Sequence, residues 1–188
     1  MTRKEQKEER KKQILFTALN LFVTKGYYDT KITDIAEAAS MSTGLLFHYF
    51  ESKEDLLLEL VKMGAEGTKS ASKAETGDPD KYFEGFLKAL FEYADKQPWV
   101  FQMFVLMGQA RRAGMPREAR EIALSVDMIS NSAKLIELGQ KDGAFKAGDS
   151  GLLATCFWTA VQGIMEEMAF DKSMSAPNPE WIMAILRK

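Results

Sequence analysis

One cysteine and one histidine stand among 188 residues, and each scarcity excludes something. Cys156, alone, forms no internal disulfide, which fits a reducing cytosol. His48, alone, anchors no carboxylate–histidine–nucleophile set. Neither a phosphate-cradling glycine loop nor a metal-ligand spacing occurs, so the sequence points to no catalytic residue, metal or cofactor. The first thirteen residues are nearly all polar or charged, unlike a secretion signal. Long apolar runs are missing too. The richest stretch, Trp99 to Gly108, falls short of the ~18 residues a membrane span needs, so no membrane partner is expected. Nor is there an excess of one charge. A total of 25 Lys and Arg face 27 Asp and Glu, for a net charge of −2, which is not the balance of a basic nucleic-acid coat.

What is present is an ordinary globular balance, 46% hydrophobic and 28% charged, distributed unevenly in charge. Residues 1–53 hold nine basic against seven acidic side chains; the remainder holds sixteen against twenty. A mildly positive head on an acidic body fits a protein that touches DNA at one end. No strand pattern and no internal repeat appear, and the periodicity predicts an all-α chain. A first helix runs from the charged tract 3–13 to a stop at Gly26. A helix beginning near Lys53 is expected to loosen at Gly64 and Gly67, with residues 68–79 as frayed end and loop. Five further helices follow. They begin at Pro79 and Pro98, at Pro116 (one long helix through Leu138), near Ser150, and at Pro179. Residues 1–55 read as a head that touches DNA and 56–188 as a helical body.

Residues 30–55 carry most of the functional signal. Ile32, Ile35, Ala36 and Ala39 form one apolar stripe at helical spacing, and Ser40 sits at a tight corner. Ser42 is a good N-cap for the next helix, which Leu46 and Phe50 anchor inward. The opposite face carries Thr43, Gly44, Leu45, Phe47, His48 and Tyr49. Hydroxyls, an imidazole and bare backbone suit a major groove, where phosphates want donors and thymine methyls want apolar contact. Thr33 reads either as a helix-start residue or as a phosphate donor. Lys53 reads either as an exposed lysine or as a phosphate clamp at a helix N-terminus.

The run Thr33, Ile35-Ala36, Met41-Ser42-Thr43-Gly44, Leu46-Phe47-His48-Tyr49-Phe50 and Lys53-Glu54-Asp55-Leu56 resembles the DNA-binding domain of the TetR (tetracycline-repressor) family of bacterial regulators. The likeness is specific over about residues 10–60 and architectural beyond. Two positions depart: Ser40 stands where the family usually has Gly, and Phe47 where it often has Tyr, which removes one phenol-to-phosphate contact. The resemblance implies a helix-turn-helix head on a helical body, a double-stranded DNA operator with paired half-sites, and a homodimer. It also implies a small-molecule effector in the body, which makes a ligand-released repressor the leading expectation. A regulator without a ligand, an activator, and a helical enzyme or partner-binding protein with an inert head are the alternatives.

By the same resemblance, Phe86, Phe104, Met107, Met128 and Trp158 line the effector site, although at helical spacing such residues also read as core. Ala160, Gly163 and Glu167 on one helix, with Trp181 and Ile185 on the last, are the implied dimer contacts; packing within the chain is the other reading. Cys156, on the first of these helices, is expected as a small buried hydrophobe.

Overall fold

Side-chain caps punctuate the chain. The computed structural model describes residues 2–71 and 77–188, which form α1 (Arg3–Thr24), α2 (Ile32–Ala38), α3 (Thr43–Phe47), α4 (Lys53–Ala71), α5 (Pro79–Lys96), α6 (Trp99–Ala110), α7 (Arg117–Ser125), α8 (Met128–Lys141), α9 (Ser150–Phe170) and α10 (Pro179–Met183). Thr2 and Glu5 exchange hydrogen bonds in a capping box at the start of α1. Asp78, Asp149 and Asn178 cap α5, α9 and α10, with proline in the first turn of α5 and α10. The described residues contain no strand; a single bridge joins Phe145 and Arg187.

Three expectations are corrected. The long helix expected from Pro116 to Leu138 is two, because the Asp127 carboxylate accepts from Ser130 N at 2.9 Å and starts a new helix, α8, after Ser125. The helix from Lys53 does not loosen at Gly64 and Gly67 but runs to Ala71. Cys156 is exposed rather than buried. The loop expected over 68–79 lies partly, at 72–76, outside the described residues.

Contacts divide the chain into two compact units. Residues 1–66 with 105–124 form the first, and residues 67–104 with 125–188 the second. In the first, Ile14, Ala18, Leu19 and Phe22 of α1, Ile35 of α2, Leu46 of α3, Phe50, and Leu56, Leu57 and Leu60 of α4 are all buried. Each of these side chains except Ala18 contributes about 1.5–3 kcal/mol of apolar transfer.

The second unit is built on α5, α8, α9 and α10. Phe83 meets Phe157 edge to face at 5.0 Å, and Phe145 lies 6.0 Å from Phe83. Phe145 fills the space over Gly139, where an added Cβ would stand 2.4 Å from the ring. The C-terminus is tied down by Arg187, whose guanidinium makes two 2.7 Å bonds to Asp80 and one of 2.6 Å to Glu84, and also pairs with Glu180. These carboxylates raise the Arg187 pKa further, Asp80 most.

Candidate nucleic-acid interface

The α2–α3 corner is a Schellman ending. Met41 N–H reaches back to Ala36 O and Ser40 N–H to Glu37 O, both at 2.9 Å, with Ser40 left-handed at φ 54°. Serine pays on the order of 1 kcal/mol there that glycine would not. Leu45 N–H then donates to Ser42 Oγ at 3.2 Å, which fixes the start of α3. Leu46 and Phe50 are buried beneath it. Gly44, Leu45, Phe47 and His48 are left exposed, with Thr43 and Tyr49 half-buried between. The side chains proposed from the sequence to meet DNA therefore share one short helix and its C-terminal turn. Ser42 is occupied in capping, and Thr33 is exposed in the first turn of α2.

Lys53 departs from expectation. Its ammonium donates to Tyr27 O at 2.8 Å, Thr30 O at 2.9 Å and Tyr28 O at 3.4 Å, and stands 4.4 Å from the centre of the Tyr27 ring. An ammonium has three donors, and three carbonyls take them. The lysine thus clamps the α1–α2 turn to α4 rather than pointing to an external phosphate. Burial pulls the Lys53 pKa below the ordinary lysine value, opposed by Asp29 and Glu54. Burial, with Glu54 and Tyr28, pushes the Tyr27 phenol up to about 12, so it stays protonated. Thr30, fully buried, donates its hydroxyl to Gly26 O at 2.7 Å, and the Tyr28 hydroxyl donates to Gly114 O.

The charged start of α1 is expected from the sequence only as a helix start. The structure places Arg3, Gln6, Lys7, Glu9, Arg10 and Gln13 along an open groove whose other wall is Leu45 and Tyr49. The signal was present in the spacing: positions 3, 6, 7, 10 and 13 lie on one helical face.

In the second unit, Phe86 meets Trp158 edge to face at 5.2 Å, and both rings, with Phe104, pack half-buried against the core. Met128 is half-buried in the same unit, whereas Met107 belongs to the first. Trp158 Nε1 donates to the buried Ser132 hydroxyl at 2.7 Å. Glu84 and Glu92 are in ion pairs with Lys88 and Lys96, and Glu166 accepts from Gln162. Of the expected dimer residues, Gly163, Glu167 and Trp181 are exposed, whereas Ala160 and Ile185 are half-buried. Leu152, Cys156, Gly163 and Phe170 share the exposed side of α9, and a Cβ built on Gly163 meets nothing within 4 Å. Among the described residues no helix is long and apolar enough to cross a membrane.

Comparison with known proteins agrees with this anatomy. Residues 14–60 match the family described as bacterial regulatory proteins, tetR family. The HTH-type transcriptional regulator HbdR of Aromatoleum sp. (strain CIB) is 47% identical over 55 residues, 29% of this chain and 24% of the relative. The matched segments span about a quarter of the first curated relatives' lengths. The fold is that of the MbdR regulator from Azoarcus sp. CIB, with a TM-score of 0.79 at 22% identity over 94% of this chain and 97% of that one. It is also that of AibR solved with isovaleryl coenzyme A and operator DNA, with a TM-score of 0.71 at 18% identity over 93% and 94% of the two chains. The capped α2–α3 pair, the family match over it and the shared fold lead to one conclusion: residues 14–60 are a helix-turn-helix head of the TetR family of bacterial regulators, carried on a chain with the same fold.

Proposed function

We propose that this chain is a cytoplasmic, non-enzymatic transcriptional repressor that binds a double-stranded DNA operator as a homodimer and is released by a small apolar or amphipathic effector. The observation that supports this reading best is α3 itself, fixed by Ser42 and by the buried Leu46 and Phe50, with Gly44, Leu45, Phe47 and His48 left open to solvent. Thr33, Thr43 and Tyr49 complete the proposed DNA set, with Ser42 setting the helix and Lys53 holding the turn behind it. Residues 1–55 do the reading, and 56–188 assemble the dimer and take the effector. One such recognition helix reads too few base pairs for specificity, so two copies engage half-sites about 34–36 Å apart. Gly163 and Trp181 at the exposed face, with Glu167 and the half-buried Ala160 and Ile185, form the proposed seam.

The effector site is proposed around Phe86, Phe104 and Trp158 of the second unit, with Met128 at its margin; Met107, also expected there, belongs to the first unit. AibR, which shares the fold, is solved with isovaleryl coenzyme A, and an acyl chain fits an aromatic and methionine lining. Selection of bound DNA from a random pool by the full chain should enrich a sequence with two half-sites. If no sequence is enriched, the reading fails. Titration of acyl-coenzyme A thioesters, followed by tryptophan fluorescence, should give weaker binding when operator is present. A coupling of about 1–3 kcal/mol corresponds to a 5–150-fold difference. Equal affinities in both titrations refute release by ligand.

A further inference from the structure

We propose that the Arg3–Lys7–Arg10 face of α1 is a second DNA-contacting surface, which grips the phosphates beside the groove that α3 reads. The inference rests on the DNA-binding reading above and extends it to residues outside the helix-turn-helix.

Three observations carry it. The first is placement. The three cations stand at i, i+4 and i+7 on one face of α1, and that face forms a single groove with Leu45 and Tyr49 of α3. Whatever α3 sits on, the groove's other wall is beside it. The second is charge. Arg3, Lys7 and Arg10 share the groove with one acid, Glu9, and among the described residues no ion pair involves any of the three. Arg10 donates only to Gln13, at 3.0 Å. Lys11, round the helix from them, is by contrast paired with Glu59 at 3.1 Å and lies 5.5 Å from the centre of the Phe50 ring. Glu5, two residues from both Arg3 and Lys7, is committed to the Thr2 capping box. The third is scale. Seven residues of helix span about 10 Å, which matches about three phosphates of one strand at 3.4 Å of axis each. Lysine and arginine tips reaching a backbone supply affinity without reading bases.

Counterion release provides the test. Operator affinity of the full chain is measured from 50 to 300 mM salt for the wild type, Lys7→Gln and Lys12→Gln. Lys12 is an exposed lysine on the opposite side of α1, so the second variant makes the same charge change away from the groove. Lys7→Gln should flatten the plot of log affinity against log salt by about 0.9 per contact, hence about 1.8 for a dimer on two half-sites. It should also weaken operator and unrelated DNA by the same factor. Lys12→Gln should leave the slope unchanged. The triple change Arg3→Gln, Lys7→Gln, Arg10→Gln should flatten the slope about three times as far, with helical circular dichroism intact. If Lys7→Gln and Lys12→Gln act equally, the effect is a general field and the contact is refuted. If the triple variant keeps the wild-type slope, the surface is refuted while operator binding stands. A wild-type chain that binds no operator would instead overturn the DNA-binding reading itself.

Discussion

Lys53 stands over the ring of Tyr27, 4.4 Å from its centre, while donating to the carbonyl of that same residue at 2.8 Å. One side chain therefore holds both the ring and the backbone of the α1–α2 turn. Removing it strands carbonyls that have already given up water. Lys53→Met should lower stability to urea by about 1–3 kcal/mol. It should weaken operator binding without changing the salt slope, because no phosphate contact is lost. A slope flattened by about 0.9 per head would show that the ammonium leaves its carbonyls to meet DNA.

Gly44 separates folding from binding. A Cβ there meets nothing within 4 Å, and alanine is the better helix former by roughly 0.5–1 kcal/mol. Gly44→Ala should leave the melting temperature unchanged or raise it, yet reduce operator affinity, because the new methyl lies on the face that approaches the bases. An affinity equal to wild type would place the DNA surface elsewhere on α3. Leu45 variants should change base preference, most clearly where a thymine methyl is read.

For assembly, the informative positions are those the protomer does not need. Gly163 has open space around it and Trp181 is 72% exposed, whereas Ile185 packs against the core. Gly163→Leu and Trp181→Ala should shift sedimentation from dimer to monomer at micromolar concentration, with circular dichroism unchanged. If both variants sediment as the wild type does, α9 and α10 are not the seam. Ile185→Glu is a poorer test, because it also buries a charge within the protomer.

Acid sensitivity should concentrate at the C-terminal ion cluster. The Lys88 ammonium first, and then the Arg187 guanidinium, hold the Glu84 carboxyl below the ordinary glutamate value of 4.5. A depressed folded pKa adds stability that is present above the unfolded value and lost as pH falls through the folded one. Glu84→Gln should therefore be less stable than wild type at pH 7, by a gap that is constant down to about pH 5.5 and narrows towards pH 3. Denaturant melts across that range measure it. A gap that stays constant down to pH 3 would show that the Glu84 charge contributes nothing.

Local chemistry made the head legible in the sequence. Ser42 caps a neighbour three residues away, Leu46 and Phe50 meet at i, i+4, and the Ser40 corner needs only its own dihedral. Features resting on distant partners were not legible. The carbonyls around Lys53 belong to Tyr27, Tyr28 and Thr30, more than twenty residues away, so a charged residue at a helix start looked like an outward clamp. The break at Asp127 was hidden because Ile122, Val126 and Ile129 continue the apolar period across it. The exposure of Cys156 could not be read from α9, whose residues are apolar or small on nearly every side. Helical period alone does not say which side of such a helix the core takes.

That last feature has a practical use. With one thiol in the whole chain, and that thiol on the open side of α9, any maleimide-linked dye or spin label attaches at a single defined address. A nitroxide there would report the distance between two copies directly. The rate at which Cys156 reacts, followed against protein concentration, would show whether that side of the helix closes when copies meet.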